Sequence, residues 1–164
     1  MNLRPATPED AAPIAAIWNP YIRDTAITFT TEPKTEAGLA ALFAERQAAG
    51  HPFLVAEAEG ILGFASYAPF RSGPGYAHTM EHTVMLAPEA RGRGAGSELI
   101  RALEQHARAA AHHSLIGGLS SENPGAIAFH AAKGFTEVGR IPEAGWKWGR
   151  WLDLILMQKR LGRV

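Results

Sequence analysis

Cysteine is missing from all 164 positions. Its absence removes disulfides, thiolate metal sites and a thiol nucleophile, and with them any mechanism that parks an acyl group on a cysteine. Excess charge is missing too. Sixteen Lys and Arg balance sixteen Asp and Glu, so there is no basic field to gather nucleic acid and no acidic one to gather cationic partners. Long apolar runs are also absent: no window approaches the roughly 18 residues of a membrane span. The opening MNLRPATPED has neither the basic region nor the apolar core of a signal peptide. These exclusions leave a chain expected in the cytoplasm, without nucleic-acid or membrane partners, working on a small molecule. Its length suits a single domain, 1–164, around one core.

What is present alternates between strand and helix signals. Leu3 and Arg4 begin a short strand. Thr7, Pro8 and Asp10 then supply a cap, a first-turn proline and a first-turn acid for a helix through Ile14 and Ile17. Thr35 caps a second helix carrying Leu39, Leu42 and Phe43, stopped at Gly50. FLVAEAEG and ILGFASYA read as a hairpin turning at Glu59 and Gly60, PFRSGPGY as a loop, and Ala77 to Leu86 as a longer strand. Leu99, Ile100, Leu103 and Ala107 form a helical stripe. Ser114 to Ser120 is a further strand, and Asn123 with Pro124 opens a short helix closed by Gly134. Phe135 to Ile141 and Trp151 to Gln158 are strands parted by a Gly/Trp-rich loop. This order predicts an α/β (α+β) domain with a mixed sheet and helices on its faces.

Between the longer strand and the helical stripe lies RGRGAGSEL, Arg91 to Leu99. A strand, a glycine-rich turn and a helix together make an anion site: backbone NH groups point outward, the helix dipole favours negative charge, and missing side chains let a phosphate approach. The stretch fails as a Walker loop, because Ser97 is followed by Glu98 and no lysine precedes it. It also fails as a dinucleotide fingerprint, because Ser97 holds the place of the last glycine.

The spacing of Arg91, Gly94 and Gly96 matches the Arg/Gln-x-x-Gly-x-Gly/Ala signature of the GNAT acetyltransferases, which the chain resembles from about Leu3 to Leu161. VML ahead of Pro88, and Asn123 with the ending FHAAKGF, match further parts of the pattern. HTMEHTVMLAPEARGRGAG as a whole looks like the phosphinothricin and methionine sulfone acetyltransferase branch. The resemblance implies the GNAT fold, a mostly antiparallel sheet of about six to seven strands with about four helices, and acetyl-CoA as cofactor. It implies cofactor contacts from Val84, Met85 and Leu86, from the loop and helix start Arg91, Gly92, Arg93, Gly94, Ala95, Gly96 and Ser97, and from Asn123. A homodimer is expected on the same ground.

Moving an acetyl group from a thioester to an amine asks for a neutral amine, although an α-amino group with a pKa near 8 is mostly protonated at pH 7. Glu81 matches the branch's acid in Glu-x-Thr-Val and is the candidate base, with an exposed strand carboxylate as the plain alternative. His130 falls where many family members place a tyrosine that protonates the leaving thiolate; a histidine packed under the sheet is the other reading. For the acceptor, Phe29, Arg71, Tyr76 and His78 are candidate contacts, with Arg71 able to clamp a carboxylate or phosphinate or to be an ordinary solvated arginine. Trp146, Trp148 and Trp151 are expected at the pocket rim and a subunit interface. The chain departs from its branch at Gly73 and Ala77, where arginines are frequent, which leans toward a less charged acceptor such as a methionine derivative.

Three further readings are weighed. His78, Glu81 and His82 cannot form a three-ligand metal site if the strand alternates, because Glu81 faces away from the two histidines, so no metal is expected. A protein N-terminus or lysine is the other acceptor class, and an acyl-CoA-binding regulator is the non-catalytic alternative.

Overall fold

The computed structural model describes residues 1–162. Seven strands form one sheet: β1 (Asn2–Pro5), β2 (Phe53–Glu57), β3 (Ile61–Pro69), β4 (Thr79–Leu86), β5 (Ser114–Ser120), β6 (Thr136–Lys147) and β7 (Arg150–Arg160). Their lateral order is β1-β2-β3-β4-β5-β7-β6. All neighbours are antiparallel except β4 and β5, which are joined through a crossover helix as a parallel pair requires. The helices are α1 (Ala11–Asp24), α2 (Glu36–Ala48), α3 (Ala95–Ala109) and α4 (Pro124–Ala132). The element order is the one the sequence predicts.

Alternation along the strands sorts side chains between two faces. Phe53 and Phe64 point to the side of α1 and α2, where Phe43 lies 4.6 Å from Phe53 and Trp18 lies 4.9 Å from Phe64, ring to ring. Tyr67 points the other way and meets His106 of α3 at 2.6 Å. Leu99, Ile100, Leu103 and Ala107, the stripe visible in the sequence, are buried against that second face. Arg4 fixes the sheet's free edge by donating to both carboxylate oxygens of Asp10 and of Glu57.

Two expectations need correction. The Gly/Trp-rich loop is mostly strand: β6 runs on to Lys147, and the turn is only Trp148 and Gly149, both at positive φ (54° and 73°), the two-residue geometry that suits a twisted hairpin. Gly139, Pro142 and Gly145 break the alternating pattern that announces a strand, and β6 absorbs them in register shifts at Glu137/Gly139 and Ile141/Gly145. The second correction concerns β4, which begins at Thr79. His78 precedes it and donates from Nδ1 to the Ala111 carbonyl (2.9 Å).

Candidate active site

The parallel ladder between β4 and β5 runs only from Thr79/Ser114 to His82/Gly117. Beyond it the strands part, although β4 stays paired with β3 as far as Leu86/Gly63. One edge of Val84, Met85 and Leu86 is therefore left without a strand partner, able to bond an extended amide-bearing chain laid in the split. Tyr21 of α1 reaches this edge. Its hydroxyl donates to the Leu86 carbonyl (2.7 Å) and accepts from Nη2 of Arg91 (2.8 Å), so the edge and the glycine loop are fixed to one ring.

The loop's glycines serve two purposes. Gly92 and Gly94 sit at φ 73° and 84°, where an L side chain is strained, and a Cβ at either would point into open space. Gly96 is buried inside α3, and a Cβ there would press on Leu86 and Phe129 at 3.3 Å. Gly94 caps α3 with no side chain to occupy its first NH groups, which belong to Ala95, Gly96 and Ser97 and have no partner within the helix. Arg91 and Arg93 flank this end and are exposed. The result is a cradle of bare NH groups and two cations, the donor set a diphosphate needs. At the start of α4, Asn123 Oδ1 accepts from the Ala126 NH (3.1 Å), which leaves its amide nitrogen to donate elsewhere.

At the apex of the split, neighbouring residues of β4 face opposite ways. Glu81 projects to the α1 side, where a Cβ on Gly118 would lie 4.0 Å from its Oε2 and 3.5 Å from Leu154. Its side chain is accessible, yet the surrounding protein strips water from the carboxylate enough to raise its pKa. His82 projects to the α3 side and is 6% exposed, with its Nε2 2.9 Å from Nε2 of His130. His130 Nδ1 meets the Ala126 carbonyl at 2.8 Å; a carbonyl only accepts, so Nδ1 carries the proton. Neutral His130 then accepts at Nε2 and His82 donates. Desolvation lowers both imidazoles, His82 to about 3, and the repulsion that a second charge beside His130 would meet adds to its shift. Room for the pair comes from Gly117, where a Cβ would stand 3.2 Å from His82 and 3.4 Å from His130.

Phe29 lies on the Glu81 side. A Cβ on Gly145 of β6 would collide with its ring, and Gly145 pairs with Leu152, on the same face of β7 as Leu154. The segment after α1 thus crosses to β6 on the face of the sheet that carries Glu81. Arg71 and Tyr76 are exposed in the loop that enters β4, two strand positions from Glu81, with Arg71 resting 5.8 Å from the Phe70 ring centroid. His78 is not brought to this group, because it faces the end of α3. Trp146 and Trp151 are also set apart: they pair ring to ring at 4.7 Å on the opposite face from Gly145, each 55% exposed, so they do not rim the Glu81 cleft. A groove of ≈ 350 Å³ lined by Asn19, Ile22, Arg23, Thr31, Pro33 and Trp148 includes none of the candidate chemical groups; the chemistry belongs to the split and to Glu81. Sequence reasoning passed over Tyr21, the Gly117-Gly118 doublet and the partnership of His82. A glycine doublet inside the strand SLIGGLS was the available signal, since strand glycines mark close approach.

A sheet that opens beside an NH cradle, with a desolvated carboxylate at the apex, defines a scaffold for binding a diphosphate-bearing cofactor and transferring its acyl group. The acetyltransferase (GNAT) family model matches residues 16–135, and the chain belongs to that family. It is similar to the L-methionine sulfoximine/L-methionine sulfone acetyltransferase of Salmonella typhimurium, 36% identical over 98% of this chain and 95% of that one. The phosphinothricin N-acetyltransferase of Streptomyces coelicolor is 36% identical over 98% and 96%. An acetyltransferase from Salmonella typhimurium, solved with its cofactor acetyl-CoA, superposes with a TM-score of 0.94 at 35% identity, covering 100% of this chain and 95% of that one. The chain is an acetyl-CoA-dependent acyltransferase.

Proposed function

We propose that the chain acetylates the α-amino group of a small amino acid of the methionine sulfone, methionine sulfoximine or phosphinothricin type, by direct attack within a ternary complex. The observation that carries this reading is Glu81: an accessible carboxylate with a raised pKa, at the apex of the split, on the face that the Phe29 segment partly encloses. The two relatives, a methionine sulfoximine/methionine sulfone acetyltransferase and a phosphinothricin N-acetyltransferase, supply the acceptor class.

The residues fit acetyl-CoA. Gly92 to Ser97 with Arg91 and Arg93 would hold its diphosphate, Val84 to Leu86 and the Asn123 amide its amide arm. When bound it supplies an activated acetyl thioester. Glu81 takes a proton from the incoming ammonium, directly or through water, and its raised pKa brings it closer to the acceptor's own. With no cysteine in the chain, a covalent acyl-thioester on the protein is excluded. His130 enters the reading as proton donor to the departing sulfur, a role that requires its Nε2, an acceptor in this arrangement, to turn from His82 and to be protonated first. Arg71 and Tyr76 are assigned to the acceptor's carboxylate and side chain. A cytoplasmic setting belongs to the same proposal. The chain 1–164 is read as one catalytic domain. A homodimer through the exposed Trp146–Trp151 pair and the outer strand β6 completes the reading, checked by sedimentation of wild type against Trp151→Ser.

The deciding experiment follows free thiol from acetyl-CoA with a panel of amines. Methionine sulfone, methionine sulfoximine and phosphinothricin should release thiol faster than lysine peptides or peptide N-termini. Preference for a peptide amine, or thiol release independent of any amine, would overturn the reading.

A further inference from the structure

Lys147 is the deepest-buried cation of the chain's last hairpin, with 1% of its surface exposed. It shares its face of β6 with Gly145, the Glu81 side. Its Nζ donates to the carbonyls of Thr25 (2.6 Å) and Thr28 (2.8 Å) and stands 4.8 Å from the Trp148 ring centroid. Among the described residues no carboxylate pairs with it. Its charge is met instead by the end of α1: Thr25 is the C-cap of that helix, where the dipole is negative and free carbonyls accept. One residue past Thr28, the Phe29 ring occupies the place that a Cβ on Gly145 would take. The other end of the same helical turn is Tyr21, whose carbonyl accepts from Thr25 Oγ1 (2.6 Å) and whose hydroxyl holds Leu86.

From this geometry we propose that Lys147 is a positioning residue for the acceptor: it fastens residues 25–29 across β6 and so sets the wall that faces Glu81. The claim rests on reading the Glu81 face as the acceptor site. A free loop has no reason to stay there. Among the described residues its backbone pairs with no strand, and the carbonyls of Thr25 and Thr28 take their hydrogen bonds from an ammonium long enough to rise from β6. A lysine supplies that reach, and three donors on one point, where arginine's planar fork would not.

The test compares Lys147→Met and the milder Lys147→Gln, which keeps one amide donor and safeguards folding. Both should raise KM for the amine, by about tenfold in Lys147→Met, the scale of a lost charge-assisted hydrogen bond. KM for acetyl-CoA should stay within about twofold, because Tyr21 lies inside α1 and the helix holds it whether or not the segment beyond Thr25 is fastened. Equal rises in both constants, or none, overturn the proposal. The clasp itself is read without any activity, by amide hydrogen exchange: residues 25–29 should exchange faster in Lys147→Gln while β3 and α3 are unchanged, and unaltered exchange at 25–29 also overturns it. Should the wild-type chain acetylate no amine while exchange at 25–29 still quickens, the acceptor assignment fails and the fastening stands, so the two failures are distinguishable.

Discussion

The Nε2 atoms of His82 and His130 stand 2.9 Å apart and share one proton. Both rings are buried and held neutral by desolvation, whereas in the unfolded chain each would take a proton near pH 6.5. The sign follows from proton counting: below about pH 6.5 the unfolded state binds more protons than the native one, so stability falls on acidification. The His82 contribution is fully present above its unfolded value of 6.5 and is lost progressively toward its folded value of about 3. Urea unfolding at a series of pH values should show this decline in the wild type and a shallower one in His82→Gln. Parallel curves would separate the pair from acid stability.

Glu81 titrates with a catalytic consequence. Its raised pKa means that the base form is gained at higher pH than for an ordinary carboxylate, so kcat should climb through that elevated pKa before levelling. Glu81→Gln should lower kcat by about 10²- to 10⁴-fold, the usual worth of a positioned base, and remove the rising limb, with cofactor affinity unchanged. A retained limb in the variant would assign the titration to the acceptor amine rather than to Glu81.

The parts of this site differ in how far they could be read from the chain alone. Arg91 to Ser97 is contiguous, and its anion-binding property follows from a strand, glycines and a helix start in that order. Glu81 is close by, on the preceding strand. Lys147 and Thr25 are 122 positions apart, and His82 and His130 are 48 apart; nothing local in either sequence names the partner, because the pairing is made by sheet order and by which face a residue takes. Gly117 and Gly118 serve as space for side chains of other elements, which periodicity does not register. The sequence signal for β6 stops short of its true end for a related reason: the bulges place Gly and Pro where an alternating pattern should run, and pairing with β7 keeps the strand together. Trp148 carries no turn signal, because such tight turns normally take Asn or Gly.

Gly94 offers a test of the cradle. Valine there must adopt φ near 84° or distort the turn, at a cost of roughly 1–2 kcal/mol in the backbone, and its side chain would project into the space before the NH groups of α3. Gly94→Val should therefore lower the melting temperature modestly and weaken acetyl-CoA binding far more, as measured by calorimetric titration. Gly92→Ala, also at positive φ but with a smaller side chain, should show the stability loss with a lesser loss of affinity. If both variants lose affinity only in proportion to stability, backbone strain rather than occlusion explains the glycines.

Tyr21 separates binding from chemistry in another way. Its hydroxyl is the single atom that touches both the Leu86 carbonyl and Arg91, and Tyr21→Phe deletes that atom while keeping the ring that packs in the core. Each lost bond is worth about 0.5–1.5 kcal/mol, somewhat more to a charged partner. Arg91 then loses the contact that holds it near the loop, and the end of β4 loses its link to α1. KM for acetyl-CoA should rise about five- to thirtyfold on that scale, with kcat at saturation little changed, since neither Glu81 nor its surroundings are altered. A fall in kcat at saturating cofactor would mean instead that α1 transmits the position of Leu86 to Glu81 along β4, and that the cofactor edge and the base form one mechanical unit.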